Sequence, residues 1–234
     1  MRSYLIVDDN QAFAENLAEI VRDGGDQVAL ASSGAAALVL AEHTRFDALV
    51  SDMRMPVMGG AELVHRIRRI DPGLPAIVIT AYTQDDDLQA ARREGLLAVL
   101  AKPAPIARLL ALLAGARRDG LVALVEDDLD LCDNLGEALR EHGFAAVTAQ
   151  SVLETERLGD VAPFCALVDL RVPGGADGEA MQRLAQKFPG LPMLVITAHA
   201  QSPPPSPHAA LFHKPFSTAE LMRAVERLHP ARHA

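Results

Sequence analysis

Asp8, Asp9 and Asp52 supply three carboxylates, Thr80 a hydroxyl and Lys102 an ammonium. The same residue types return in the same order as Glu126, Asp127, Asp169, Thr197 and Lys214. Two carboxylates crowded to ~4 Å repel by about 4 kcal/mol at an effective dielectric of 20. A single lysine leaves a cluster of three about two charges short of balance. A divalent cation meets that deficit, and an all-oxygen donor set with few protein ligands selects Mg²⁺, which keeps several waters and bridges to phosphate. A carboxylate held beside Mg²⁺, with a lysine and a hydroxyl ready for equatorial oxygens, is suited to accept a phosphoryl group.

Whether these groups meet depends on the elements that carry them. The segment Pro72-Gly73-Leu74-Pro75-Ala76-Ile77-Val78-Ile79-Thr80-Ala81 recurs about 117 residues later as Pro189-Gly190-Leu191-Pro192-Met193-Leu194-Val195-Ile196-Thr197-Ala198. Val7-Asp8-Asp9 recurs as Val125-Glu126-Asp127, and Lys102-Pro103 as Lys214-Pro215. Offsets this steady mean two copies of one fold, with boundaries at 1–118 and 119–234, rather than a solenoid of short repeats. In the first copy, apolar runs of strand length occur at 4–7, 27–30, 48–51, 76–80 and 98–101. Between them, 12–21, 35–42, 61–70, 88–94 and 106–117 carry apolar residues at helical spacing. Over 61–70 the stripe is Leu63, Val64, Ile67 and Ile70, which predicts that Arg66, Arg68 and Arg69 face outward. The alternation implies an α/β fold: two doubly wound parallel-sheet domains in tandem, with helices on both faces of each sheet. Ligand sites in such sheets lie at the carboxyl ends of the strands, and that is where every residue of both sets falls.

Read singly, these residues have ordinary uses. Asp9 or Asn10 is placed to cap the helix that follows, Asp52 to sit beside a turn, Thr80 to end a strand and Lys102 to be solvated. Their joint recurrence in two copies argues for a shared site. Each half resembles a receiver domain of bacterial two-component response regulators, the flavodoxin-like (βα)5 phospho-acceptor module also found in chemotaxis regulators. The resemblance implies that Asp52 and Asp169 accept the phosphoryl group, and that Asp8, Asp9, Glu126 and Asp127 supply the acidic metal pairs. It further implies metal ligation by the backbone carbonyls of Arg54 and Arg171, phosphoryl contacts from Thr80, Thr197, Lys102 and Lys214, and room for a phosphodonor beside Ala81 and Ala198.

Three departures from the family pattern stand out. Receivers usually carry Phe or Tyr three residues before the lysine, where this chain has Val99 and Leu211; Phe212 comes one position later and points to the opposite face. Tyr82 and His199, two residues past the threonines, differ between the copies. Thr80 to Lys102 spans 22 positions and Thr197 to Lys214 only 17, and the shortened segment contains Pro203-Pro204-Pro205 and Pro207. A proline run lacks amide donors and favours an extended chain, so the second domain is expected to lack a regular fourth helix and to expose apolar surface there. In the last helix of the first copy, Ile106, Leu109, Leu110, Leu112 and Leu113 form a set too broad for one buried stripe. Part of it is expected to pack on the other domain or in a homodimer.

Net charge and composition narrow the partners. A formal charge of −9 argues against direct nucleic acid binding and against anionic membranes. No window approaches the ~18 apolar residues of a membrane span and the start lacks a signal peptide, so a cytoplasmic protein is expected. Cys132 and Cys165 read as two buried thiols. His43, His65, His142 and His229 lie on helical stretches without metal-ligand spacing and read as surface residues. The expected function is that of a stand-alone tandem receiver, which takes phosphoryl groups from a histidine kinase or phosphotransfer protein and signals through contacts with a downstream protein. One alternative is a scaffold or dimerisation module in which one half is not phosphorylated. Another is an aspartate-nucleophile phosphatase, whose chemistry wants an acid where Arg54 and Arg171 stand.

Overall fold

Ten short runs of aliphatic residues become the ten strands of the computed structural model, which describes residues 1–81, 95–198 and 209–229. The chain divides into two compact units, Met1–Arg118 and Asp119–Ala234.

In the first unit, β1 (Ser3–Val7), β2 (Gln27–Ala31), β3 (Ala48–Asp52), β4 (Ala76–Thr80) and β5 (Ala98–Ala101) form one parallel sheet in the order β2-β1-β3-β4-β5. Helices α1 (Gln11–Asp23), α2 (Gly34–His43), α3 (Gly60–Ile70) and α4 (Ile106–Gly115) cover it. All residues of β3 and β4 are buried, as expected for central strands covered on both faces. Leu5, Val7, Leu49, Val78, Leu63, Val64 and Ile67 pack into one cluster beneath α2 and α3. On α4 only Leu109 and Leu113 are fully buried; Ile106, Leu110 and Leu112 are half-buried, in keeping with a stripe broader than one core face.

The second unit repeats the plan. Strands β6 (Leu121–Val125), β7 (Ala145–Ala149), β8 (Cys165–Asp169), β9 (Met193–Thr197) and β10 (Ala209–His213) are all parallel, in the order β10-β9-β8-β6-β7. Its helices are α5 (Leu129–Glu141), α6 (Glu179–Lys187) and α7 (Thr218–Leu228). A 3-10 helix, Leu153–Asp160, takes the place that α2 holds in the first unit. Arg183 and Lys187 on α6 strap it down, Arg183 to the Glu156 carboxylate and Lys187 to the Thr155 and Glu156 carbonyls. Cys132 and Cys165 are buried and unlinked. Burial pushes the Cys132 thiol up to about 11, so neither cysteine is poised for chemistry.

Two expectations on α3 are corrected. Arg68 does not face outward: it is 3% exposed and donates to the carbonyls of Pro72, Leu74 and Gly95, tying together the loops that carry them. A guanidinium's five donors make such a buried carbonyl cluster satisfiable. Ile70, at the end of the apolar stripe, is 37% exposed because the helix stops at Asp71 before the core does. His229 is likewise not a plain surface residue, since its ring packs edge-on against Phe164 and Phe144 at 4.9 and 5.4 Å. The helix expected over 88–94, the segment 201–208 in which a regular fourth helix is expected to be absent, Tyr82 and His199 lie outside the described residues.

Candidate metal centres

The carboxyl ends of the parallel strands converge as the alternation requires. Asp52 and Asp169 are the last residues of β3 and β8, Thr80 and Thr197 the last of β4 and β9. Asp8 and Glu126 directly follow β1 and β6, and Lys102 and Lys214 follow β5 and β10. Register keeps the neighbours level: Asp52 lies opposite Ile79, one residue before Thr80, and Asp169 lies opposite Ile196. The Lys102 and Lys214 amides each donate to the adjoining threonine carbonyl at 2.8 Å, and each lysine precedes a cis proline.

Oxygens of Asp8, Asp9 and Asp52 lie within 4.8 Å of one another, and so do those of Glu126, Asp127 and Asp169. In both triads two acids are buried and one, Asp9 or Asp127, is open to solvent. The helix-cap alternative is decided by geometry. Asn10 caps α1 by accepting from the Phe13 amide, and Asp128 caps α5 in the same way, which leaves Asp9 and Asp127 at liberty to face the cluster. The Asn10 amide also donates to Asp8 at 2.9 Å, fixing that carboxylate. Arg54 and Arg171 are exposed in the loops leaving β3 and β8; the Arg171 amide donates to Asp169 at 2.9 Å.

One ammonium serves each triad. Lys102 Nζ lies 2.9 Å from Asp52 and 3.4 Å from Asp8, while Lys214 Nζ lies 2.6 Å from Asp169 and 2.9 Å from Glu126. Burial raises Asp8 above the usual carboxylate range, opposed by the Asn10 amide and Lys102 and reinforced by the charge of Asp52. Burial likewise raises Glu126, against the pull of Lys214. For the two lysines burial acts downward, but contact with their paired acids outweighs it and the net shift is upward, so both stay charged. Each centre therefore keeps an excess of negative charge beside hard oxygen donors. That chemistry fits Mg²⁺, which takes one or two carboxylates and fills its remaining positions with water or phosphate oxygen.

The loop after β3 holds Asp52 from behind. The Gly60 amide donates to the Met53 carbonyl at 2.8 Å, and a Cβ on Gly60 would come within 2.5 Å of the Asp52 carbonyl oxygen and 3.0 Å of Met53 Cα. Both obstacles are backbone, so the strand end must move. Gly60→Ala is expected to lower the stability of the first unit by about 1–3 kcal/mol in urea unfolding and to weaken metal binding there. Gly115→Ala, whose Cβ meets nothing within 4 Å, is expected to leave both unchanged.

Sequence reasoning missed one neighbour of this site. Phe13, in the first turn of α1, places its ring 5.3 Å from Lys102 Nζ. The missing aromatic before each lysine is as expected: Val99 packs with Val78 in the cluster under α2 and α3, whereas Phe212 packs with Ile196 and Val225 on the other face of its sheet.

The sequence model of the response regulator receiver domain matches residues 4–114. A response regulator receiver protein of Anaeromyxobacter sp. (strain Fw109-5) is 69% identical over 232 residues, 99% of this chain and 97% of that one. The response regulator protein FleR of Pseudomonas aeruginosa is 31% identical over 155 residues, 63% of this chain and 33% of that one. Among solved structures, the receiver domain of the sensor histidine kinase PA1611 of Pseudomonas aeruginosa, crystallised with a magnesium ion in its active-site cleft, is 31% identical. It covers 48% of this chain and 93% of its own, with a TM-score of 0.45.

Proposed function

This chain belongs to the response regulator receiver family, and from that membership we propose that it is a tandem receiver whose units, 1–118 and 119–234, each accept a phosphoryl group on aspartate. The acceptors are Asp52 and Asp169. The observation that carries the reading is the pairing, in both units, of a buried strand-end aspartate with a lysine inside an acidic triad.

Asp8, Asp9 and Asp52 would hold Mg²⁺ in the first unit, with Glu126, Asp127 and Asp169 in the second and the Arg54 and Arg171 carbonyls completing each set. When bound, Mg²⁺ neutralises the triad and the incoming phosphoryl oxygens. The Asp52 carboxylate attacks phosphorus, an O–P bond forms, and the N–P bond to the donor imidazole breaks; the leaving imidazole takes up a proton. Lys102 already touches the nucleophile and is placed to follow the charge onto the new phosphoryl group. Thr80 brings its hydroxyl to the same sheet edge. Lys214 and Thr197 have those parts in the second unit.

The donor is a histidine kinase or a histidine phosphotransfer protein, and the output a contact with a downstream protein. A net charge of −9 disfavours direct nucleic acid contact, and among the described residues no helix is long and apolar enough to cross a membrane. The cytoplasm is where the proposed donors and Mg²⁺ are met. The test is intact-mass analysis of the full chain after acetyl phosphate and Mg²⁺. Two phosphoryl groups per chain are expected, none with the metal chelated. No gain with acetyl phosphate and Mg²⁺ overturns the reading, and steady turnover of a small phosphate ester assigns the protein to the phosphatases instead.

A further inference from the structure

The two centres are not equivalent, and the difference lies beside the lysine. Phe13 sits three residues past the Asn10 cap, its amide held by the Asn10 side chain at 3.1 Å, and its half-buried ring lies 5.3 Å from Lys102 Nζ. In the second unit Leu131 has the same place relative to the cap: its amide is held by Asp128 at 3.1 Å, and it packs against the apolar cluster of its sheet. Lys214 is held by its two acids at 2.6 and 2.9 Å, whereas Lys102 has one contact at 2.9 Å and a second that is long at 3.4 Å.

We propose that Phe13 is a positioning residue for Lys102, its ring face holding the ammonium over Asp52 so that the first centre keeps its cation when its carboxylates are engaged, while in the second, among the described residues, Lys214 is held by its two acids. The physical basis is that a lysine stem is flexible and loses its anchor when a metal and a phosphoryl group take over the carboxylate charge. The ring attracts the cation through its quadrupole and carries no net charge, so that attraction is the same before and after metal and phosphate arrive. Leucine gives the stem apolar contact but no such attraction. The inference rests on the acceptor reading for its effect on rate, but the ring contact itself can be measured without it.

The chain has three lysines, Lys102, Lys187 and Lys214, so ε-carbon-labelled lysine gives three signals, which Lys187→Arg and Lys214→Arg assign. In the full chain the Lys102 ε-methylene protons are expected upfield of the other two, moving to the position of Lys214 in Phe13→Leu and staying upfield in Phe13→Tyr. In an Asp169→Asn background, where the phosphoryl group counted is that on Asp52, Phe13→Leu is expected to slow acetyl phosphate-dependent uptake about twofold to fivefold at unchanged Mg²⁺ affinity, and Phe13→Tyr to restore it. Phe13→Leu is a residue the second unit already accommodates at this place, and the unchanged metal affinity reports that the centre is intact. An unshifted Lys102 signal, a wild-type rate in Phe13→Leu, or a Tyr variant as slow as Leu overturns the proposal. Absence of uptake in the unsubstituted chain overturns the acceptor reading instead, and the lysine signal then decides the positioning by itself.

Discussion

Asp52→Asn is expected to cut phosphoryl uptake from two groups per chain to one, Asp169→Asn to do the same at the other unit, and the double variant to take up none. The amide has the shape of the carboxylate but no anionic oxygen to attack phosphorus, so the loss at each centre is complete rather than graded. It also removes the main acidic partner of the lysine: without the Asp52 charge, Lys102 keeps the Asp8 carboxylate at 3.4 Å and the Phe13 ring at 5.3 Å. Unfolding is not the route to this loss. The substitution removes one of three crowded negative charges, so the metal-free thermal midpoint is expected to hold or rise, and circular dichroism through the melt checks it. Two groups still present in Asp52→Asn would move the acceptor elsewhere in the first unit. One group lost in each single variant would tie each to its own strand end.

Removing the buried partner acid has the opposite effects on fold and on metal. Asp8→Asn and Glu126→Gln are each expected to raise metal-free stability while abolishing the stabilisation that Mg²⁺ gives to that unit. Burial raises both acids above their ordinary values, so the folded chain holds these protons more tightly than the unfolded one. For an acid raised in this way the stabilising contribution is present in the protonated form at low pH and is lost as pH rises through the folded-state value. Without metal, ionisation of Asp8 and Glu126 as the pH rises therefore weakens the fold. Relieving one close repulsion of this kind is worth about 1 kcal/mol or more, or about 4–8 °C per kcal/mol in a small domain. Mg²⁺ at about 100 times its dissociation constant is expected to stabilise the unsubstituted unit by about 2.7 kcal/mol. Acidification toward the raised values weakens that effect, because the proton and the cation compete for one oxygen. Calorimetry of the four combinations, with and without Mg²⁺ and across pH, is the check. A drop in metal-free stability on amide substitution would contradict the charge argument for these centres.

These expectations start from residues legible in one dimension. Both faces of β3 and β4 are covered, so Ala48–Val50 and Ala76–Ile79 are continuously apolar, and the polar residues that close the strands, Ser51-Asp52 and Thr80, mark where the chain leaves the sheet. Asp52, Thr80 and Lys102 could therefore be placed at one edge without coordinates, and recurrence in Asp169, Thr197 and Lys214 removed the ordinary readings that each has alone. Arg68 was misread because helical spacing reports which side of a helix is apolar, not which carbonyls the following loop will leave in need of a donor. The 3-10 helix at Leu153–Asp160 buries Thr155 and Leu158 at a spacing of three rather than at the α-helical period, and Arg183 and Lys187 from α6 strap it down.

The order of strands and helices, the identity of the strand-end acids and the doubling of the whole arrangement are determined by the sequence itself, since they follow from local apolar periodicity and from repetition. Only the tertiary structure decided that Asn10 rather than Asp9 caps α1, that Lys102 reaches both Asp8 and Asp52, and that Phe13 lies beside it. Lys102 and Asp8 are 94 positions apart, and no spacing rule links them. Their contact exists because parallel pairing brings the ends of β1, β3 and β5 to a common edge, and burial there removes the water that would otherwise hold the charges apart.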